Sequence, residues 1–540
     1  MDRADAVKRK DDIIMGISRR DFLKGMGSLA AASALFANAG VNAFADEPAT
    51  DEIGDVVETV DVDLLIVGAG GAGMLAAYQA GKEGIENVLV ISNSPSSNYT
   101  NGGMVSGTCA LETPEIKEQF PDQDFSCQDL FETMYDFSHY TVNSKLLRKC
   151  VYMLPGNIEA FREMGVTTSL GGDRIGWGFI NVHLFNESGT KNQTMQDYIE
   201  STFGTEFRFN TEAFAPIMDG AKVAGVYAKN ADMQTIQINA KAVILACGGF
   251  FSNKDLMMKT FGNNIIPFST EFQTGKGIDI AEKAGAFREA QVGLGMTDIV
   301  GGNEIVGFSF TNPLMMMAFY GNLLVDHNGA RFMNEFELAN DSLSVGGEAL
   351  VHVKKYYAIY TQSVIDDLEN TSYYEHIGAP ASWPTGSMLY VAPMTGINDM
   401  MTQAIEDGYV FKADTLEELA EQLNLPELVN TVAEYNEMCD NGLDTMFGKN
   451  MDLAEKIGEG PYYLMQYNPA AFNTFGGCRT NENTQALNID FEPIEGLYIA
   501  GVENGSLYAR PYYNIGGTCS GLAYSSGRLA AQSAAEYIKG

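Results

Sequence analysis

No CxxC pair occurs anywhere in this sequence, and its seven cysteines (Cys109, Cys127, Cys150, Cys247, Cys439, Cys478 and Cys519) are scattered. That spacing excludes a zinc knuckle or a cysteine-ligated iron–sulfur cluster, and without CxxCH no c-type haem can attach. An odd count with no framework reads as reduced, structural thiols. Basic charge is scarce too: 34 Lys+Arg face 70 Asp+Glu, a net charge of −36. A polyphosphate partner needs a basic stripe, so nucleic acid is excluded. An acidic surface suits solubility or a basic redox partner. The five histidines (His139, His183, His327, His352 and His376) show no metal spacing, and no metal site is expected. Beyond the N-terminus no apolar run reaches transmembrane length, so membrane association would come through a partner.

What is present is a folded, loop-rich chain. With 57 glycines, 45% hydrophobic and 11% aromatic residues over 540 positions, two or three substructures are expected. Residues 18–24 read SRRDFLK, ahead of a weakly apolar, glycine-containing stretch that ends in the small-x-small site Ala43-Phe44-Ala45. This is the pattern of a twin-arginine export signal over residues 1–45, addressed to the twin-arginine machinery and a periplasmic or extracytoplasmic destination. Such export carries folded cargo, which suits a protein that loads its cofactor before crossing. The acidic stretch 46–60 reads as a linker.

Residues 62–73 read VDLLIVGAGGAG, followed by a helical pattern and a second strand, NVLVIS. The apolar run ending at Val67 is a buried parallel strand. Gly68 permits the tight turn, Gly70 and Gly71 let backbone amides approach a pyrophosphate, and Ala72 and Gly73 let the helix pack on the strand. In this strand–turn–helix–strand setting, GxGxxG is a dinucleotide fingerprint. The second strand departs from the fingerprint, because it ends in Ser92-Asn93 where Asp or Glu should bind the adenosine ribose.

Four further stretches refine the cofactor: Gly102-Gly103-Met104 beyond the second strand, a buried strand ending in Gly248-Gly249, TGKGIDIAEKAGA with Gly275 and Gly277, and GLYIAG followed by Glu503. Together with the fingerprint, they resemble the fumarate reductase/succinate dehydrogenase flavoprotein superfamily, in particular soluble flavocytochrome c-like reductases without a haem domain. The resemblance covers roughly residues 61–540. It implies an α/β fold, a Rossmann-like, discontinuous FAD-binding domain (61–287 and 473–540) with an inserted α+β capping domain (288–472). It implies FAD as cofactor, with Gly517, Cys519 and Ser520 at the flavin edge. Members with covalent FAD attach it through a histidine shortly after the second strand. PSSNYTNGG has none, so non-covalent FAD is expected.

The residues that bind fumarate in that family are missing. Its acid arginine should follow four residues after Glu335, where FELAND places Ala339 or, shifted by one, Asn340. Arg331 matches a structural arginine. Asn473 stands where a substrate histidine is expected, and Asn514 replaces the late arginine. The segment that supplies polar anchors reads PLMMMAFYG. Three consecutive methionines pack a core more often than a pocket. If they line one, Met315 and Met317 would favour a bulky apolar substrate.

A replacement acid is sought among the remaining arginines and near them. Arg528 is read as opening the C-terminal helix and Arg479 as facing cofactor or solvent. Arg510 is left, in GSLYARPYYNIGGT, with Tyr508 and Tyr512 as alternative donors and Tyr513 as a substrate contact. A packed turn is the plain alternative. The expected function is an exported reductase of an activated C=C bond in an enoate or enone, aromatic or polycyclic and not fumarate. Its electrons would come from a separate cytochrome or quinol-oxidising partner. Two alternatives stand beside it: a ketosteroid-like dehydrogenase running oxidatively, and a non-catalytic flavin electron carrier.

Overall fold

The computed structural model describes residues 53–171, 181–296, 302–308, 312–320, 322–340, 344–378 and 392–540. The expected export signal (1–45), the start of the expected linker (46–52) and the side chains of Ala339 and Asn340 lie outside the described residues.

Strand β1 (Val56–Val67) is longer than the sequence pattern suggested. Its β-branched first half, Val56 to Val60, occupies part of the expected linker and pairs with the start of a long strand further on. Only the second half is core, with Leu64, Leu65 and Ile66 fully buried. Helix α1 (Gly71–Lys82) follows at once, then β2 (Val88–Ile91) and, after a long excursion, β3 (Glu206–Arg208). A hairpin, β4 (Glu212–Asp219) and β5 (Lys222–Lys229), leads into the long β6 (Thr235–Leu245). Helix α2 (Lys276–Lys283) comes later, and near the end of the chain lies β7 (Pro493–Ile499). All five strands of the series β3-β2-β1-β6-β7 pair in parallel. In chain order this is the 3-2-1-4-5 arrangement of a dinucleotide-binding sheet, with its switch point between β1 and β6.

Gly68 sits at that switch point with φ +116°, and a Cβ there would collide with the Ala246 carbonyl oxygen at the end of β6. Gly73 is required for a different reason, because any side chain would strike the Gly68 carbonyl. Helix α3 (Thr518–Lys539) starts directly after Gly516-Gly517, ten residues before Arg528, so Arg528 lies within it and does not open it. There Arg528 donates to Gln79 and Asn157. Gly527 lets α3 cross α1 closely, its absent side chain leaving room for the Ala72 carbonyl.

The segment expected to form the capping region contains a four-stranded antiparallel sheet in which Tyr356–Thr361 is one of the two inner strands. That strand is buried on both faces: Tyr357 and Ile359 pack with Leu428, Val432 and Tyr435 of a covering helix. Tyr356, Ala358 and Tyr360 face the main core, which includes Met315 and Met317. Both methionines are fully buried, and Tyr360 hydroxyl donates to the Met317 carbonyl at 2.7 Å. Met315 and Met317 are therefore sheet-covering core, the packing that such a run favours, and not the substrate contacts they would have been had it lined a pocket.

Candidate active site

A cavity of about 490 Å³ opens along the C-terminal ends of β1, β2 and β6, where a dinucleotide-binding sheet receives its ligand. Its wall is made by Gly68, Gly70, Gly71 and Ala72 of the first turn, Ser92 and Asn93 ending β2, Gly102 and Met104, and Cys247 and Gly248 ending β6. Gly517, Cys519 and Ser520, at the start of α3, complete it. Distant stretches of sequence are thus brought onto one surface. Three helices point at this surface with glycine N-caps that offer no side-chain bond: α1 after Gly70, α2 after Gly275 and α3 after Gly517. Their free N–H groups suit phosphate and electronegative ring edges. Two further polar atoms on the wall, the Tyr524 hydroxyl and Gln273 Nε2, are buried without a partner. Such atoms await a polar ligand, and the site fits FAD.

Other expected cofactor residues stand behind this wall. Gly73 and Gly249 pack against neighbouring backbone and side chains, and Gly103 accommodates the Asn98 carbonyl. Gly277 leaves room for the Glu503 carboxylate, which lies 1% exposed beneath Cys247 and accepts the Cys247 backbone N–H. Burial pushes the Glu503 carboxyl up to about 8, against the opposing pull of the Cys247 and Gly248 N–H groups. Its second oxygen has no protein partner among the described residues. Lys191 is also buried; it donates to the Gly103 carbonyl at 2.6 Å, and desolvation pushes it down to about 7.

At the α3 end the wall becomes apolar and aromatic: Val105, Leu184, Phe268, Met296, Phe472 and Tyr512. Asn473 is there too, with Nδ2 3.6 Å from Cys519 Sγ. Tyr512 packs on Phe475, and its side chain hydrogen-bonds Cys519. Ser344 hydroxyl donates to the Tyr512 carbonyl.

The rest of the candidate proton-donor cluster lies off the wall. Arg510 makes a half-exposed ion pair with Glu348, Nε to Oε2 2.9 Å. Tyr508 is buried and donates to the Cys519 carbonyl at 3.0 Å, and Tyr513 donates to the Leu507 carbonyl at 3.0 Å. Asn514 is exposed. Burial explains the two tyrosine bonds, since a phenol without water must find a carbonyl. Arg479 pairs with Glu289 at 2.5 Å and stacks on Phe287 and Phe491. The sequence reading missed Glu212, a wall residue whose only signal was the non-acidic end of β2.

The FAD binding domain family matches residues 63–519 of the chain. A twin-arginine translocation pathway signal sequence matches residues 16–36, so the protein is exported. The vinyl phenol reductase of Lactiplantibacillus plantarum is 29% identical across 88% of this chain and 96% of its own length. The NADH:fumarate oxidoreductase of Klebsiella pneumoniae is 27% identical across 91% of this chain, which spans 49% of that protein. A solved 3-ketosteroid delta1-dehydrogenase from Sterolibacterium denitrificans has the same fold. It gives a TM-score of 0.66 at 19% identity, covering 88% of this chain and 99% of its own.

Proposed function

The chain belongs to the FAD binding domain family, within the fumarate reductase/succinate dehydrogenase flavoprotein superfamily, and from that premise we propose that it reduces an activated C=C bond in an aromatic or otherwise apolar substrate. The observation that carries this reading is the wall at the α3 end. Among the described lining residues, Lys276 is the one cation, and it belongs to the α2 end of the cavity. Among the described residues a dicarboxylate finds no cation beside Phe268, Met296, Phe472 and Tyr512, whereas a styrene, cinnamate or enone can bury its ring there. The similarity to vinyl phenol reductase supports the same class.

FAD, when bound, supplies the electron pair that reduces the double bond. The chain's own residues hold it and manage the proton. Backbone N–H groups at the start of α1 would hold its phosphates, and those at the start of α3 would hold the flavin. Tyr512 is the proposed proton source, because its ring is on the cavity wall. Arg510, tied to Glu348, supports the loop that carries Tyr512. We take the FAD to be held non-covalently, the domains to divide at about residues 288 and 473, and the electrons to arrive from a separate cytochrome or quinol-oxidising donor.

The test is a stopped-flow experiment on the photoreduced, FAD-loaded protein. A vinylphenol, a cinnamate or a cyclic enone should reoxidise the flavin, and fumarate should not. Rapid reoxidation by fumarate alone would overturn the reading.

A further inference from the structure

We propose that Glu212 supplies the adenosine-ribose carboxylate that the end of β2 lacks. A dinucleotide-binding sheet ordinarily carries an acidic side chain at the C-terminal end of its second strand, where it accepts hydrogen bonds from ribose hydroxyls. Here that end reads Ser92-Asn93, and both side chains are already engaged with protein. Ser92 Oγ lies 2.8 Å from Ser94 Oγ. Asn93 Nδ2 donates to the Phe272 carbonyl at 3.0 Å and to Glu212 Oε1 at 3.4 Å.

The backbone brings Glu212 to the vacant role. Strand β3 runs parallel to β2, and as the chain leaves β3 it stays bonded to the residues that follow β2. Ser92 N–H donates to the Arg208 carbonyl, Asn210 N–H to Ser94 and Thr211 N–H to Ser92, at 3.0, 2.9 and 2.8 Å. Glu212 is the next residue, so its Cα is fixed beside the end of β2. Of the described residues lining the cavity, Glu212 is the one carboxylate. Thr274 hydroxyl donates to Oε1 at 3.1 Å, as the Asn93 amide does. Both bonds fall on the same oxygen, and Oε2 has no protein partner among the described residues. The arrangement steadies the carboxylate from one side and leaves its second oxygen for a ligand hydroxyl.

The inference rests on bound FAD and not on the substrate, so its test leaves the reductase reading aside. FMN shares the flavin and lacks the adenosine. The full-length holoprotein is incubated to equilibrium with defined mixtures of FAD and FMN, and the bound ratio is read by chromatography. Loss of a charge-assisted bond to the ribose should lower the bound FAD:FMN ratio of Glu212→Ala by about 10- to 100-fold. Glu212→Gln keeps the size and should lower it less, by at least about threefold. Adding Asn93→Asp to Glu212→Ala returns a carboxylate to β2 itself and should restore most of the ratio. An unchanged ratio in Glu212→Ala overturns the proposal. If that variant does not fold, an unchanged ratio in Glu212→Gln does the same. A purely structural Glu212 would weaken both flavins together and would not be rescued by Asn93→Asp.

Discussion

Replacing Arg331 by methionine separates a structural arginine from a catalytic one. Arg331 is buried with Glu335, Asp444 and Lys449, whose side chains are likewise inaccessible to solvent. Its Nε and one terminal nitrogen bind Glu335 at 2.8 and 2.9 Å, and the same nitrogen reaches Asp444 at 2.8 Å. The guanidinium also lies over the Tyr435 and Phe447 rings at 5.4 and 5.1 Å. Two cations balance two anions, so Arg331→Met leaves a net buried negative charge. Removing one partner from a buried, hydrogen-bonded cluster costs about 3–5 kcal/mol, and no solvent screens this one. At about 1.4 kcal/mol per decade, the open population of the capping region should rise by two to three and a half orders of magnitude. Pulse proteolysis and hydrogen exchange over residues 324–467 read that change directly. Bound FAD should be retained at low temperature, and turnover of the remaining folded molecules should stay within a fewfold of normal. The opposite pattern, an equally protease-resistant variant without turnover, would refute the reasoning and place Arg331 in contact with substrate.

Three other predictions concern the cavity wall and the residues behind it. Glu503 keeps its proton in the folded protein up to about pH 8, whereas an unfolded carboxyl loses it near 4.5. Its stability contribution is therefore full below pH 4.5 and is lost as pH rises through 8. Glu503→Gln should remove that fall from the pH dependence of the thermal midpoint. Lys191, pushed down to about 7, contributes the opposite slope in both proteins, so the difference between them isolates Glu503; identical profiles would refute the assignment. Tyr512→Phe keeps the ring against Phe475 and removes the hydroxyl. Reoxidation of reduced flavin by an unsaturated aromatic substrate should slow by about 10²- to 10⁴-fold with FAD content unchanged. Arg510→Lys should cost less than about tenfold, and a normal rate in Tyr512→Phe would return the proton to Arg510 or another group.

Much of the nucleotide-binding half was legible because its requirements are local. A strand that must turn within two residues and admit a phosphate needs glycine at Gly68 and Gly70, whatever the rest of the chain does. The absence of charges where the resemblance places fumarate-binding residues was an expectation of the motif alignment, since a missing charge can be read there without coordinates. The helix carrying Arg528 was misjudged at its start, because Thr518 to Gly527 is rich in small and polar residues and is made helical by packing against α1. Whether Met315 and Met317 lined a pocket or filled a core could not be read from the run itself. Burial by the capping sheet settled it.

The sequence by itself determined the export signal and the dinucleotide-binding turn, because steric needs and apolar periodicity act over a few residues, and its motifs carried the resemblance that implied FAD. The tertiary structure alone decided which polar groups reach the cavity wall and which are committed behind it. Arg510 found Glu348, 162 positions away, and left Tyr512 on the wall. Asn93 met a carboxylate 119 positions further on. A charge or hydroxyl is free or committed only once the fold has desolvated it and set its partner in reach, and that depends on contacts no local pattern encodes.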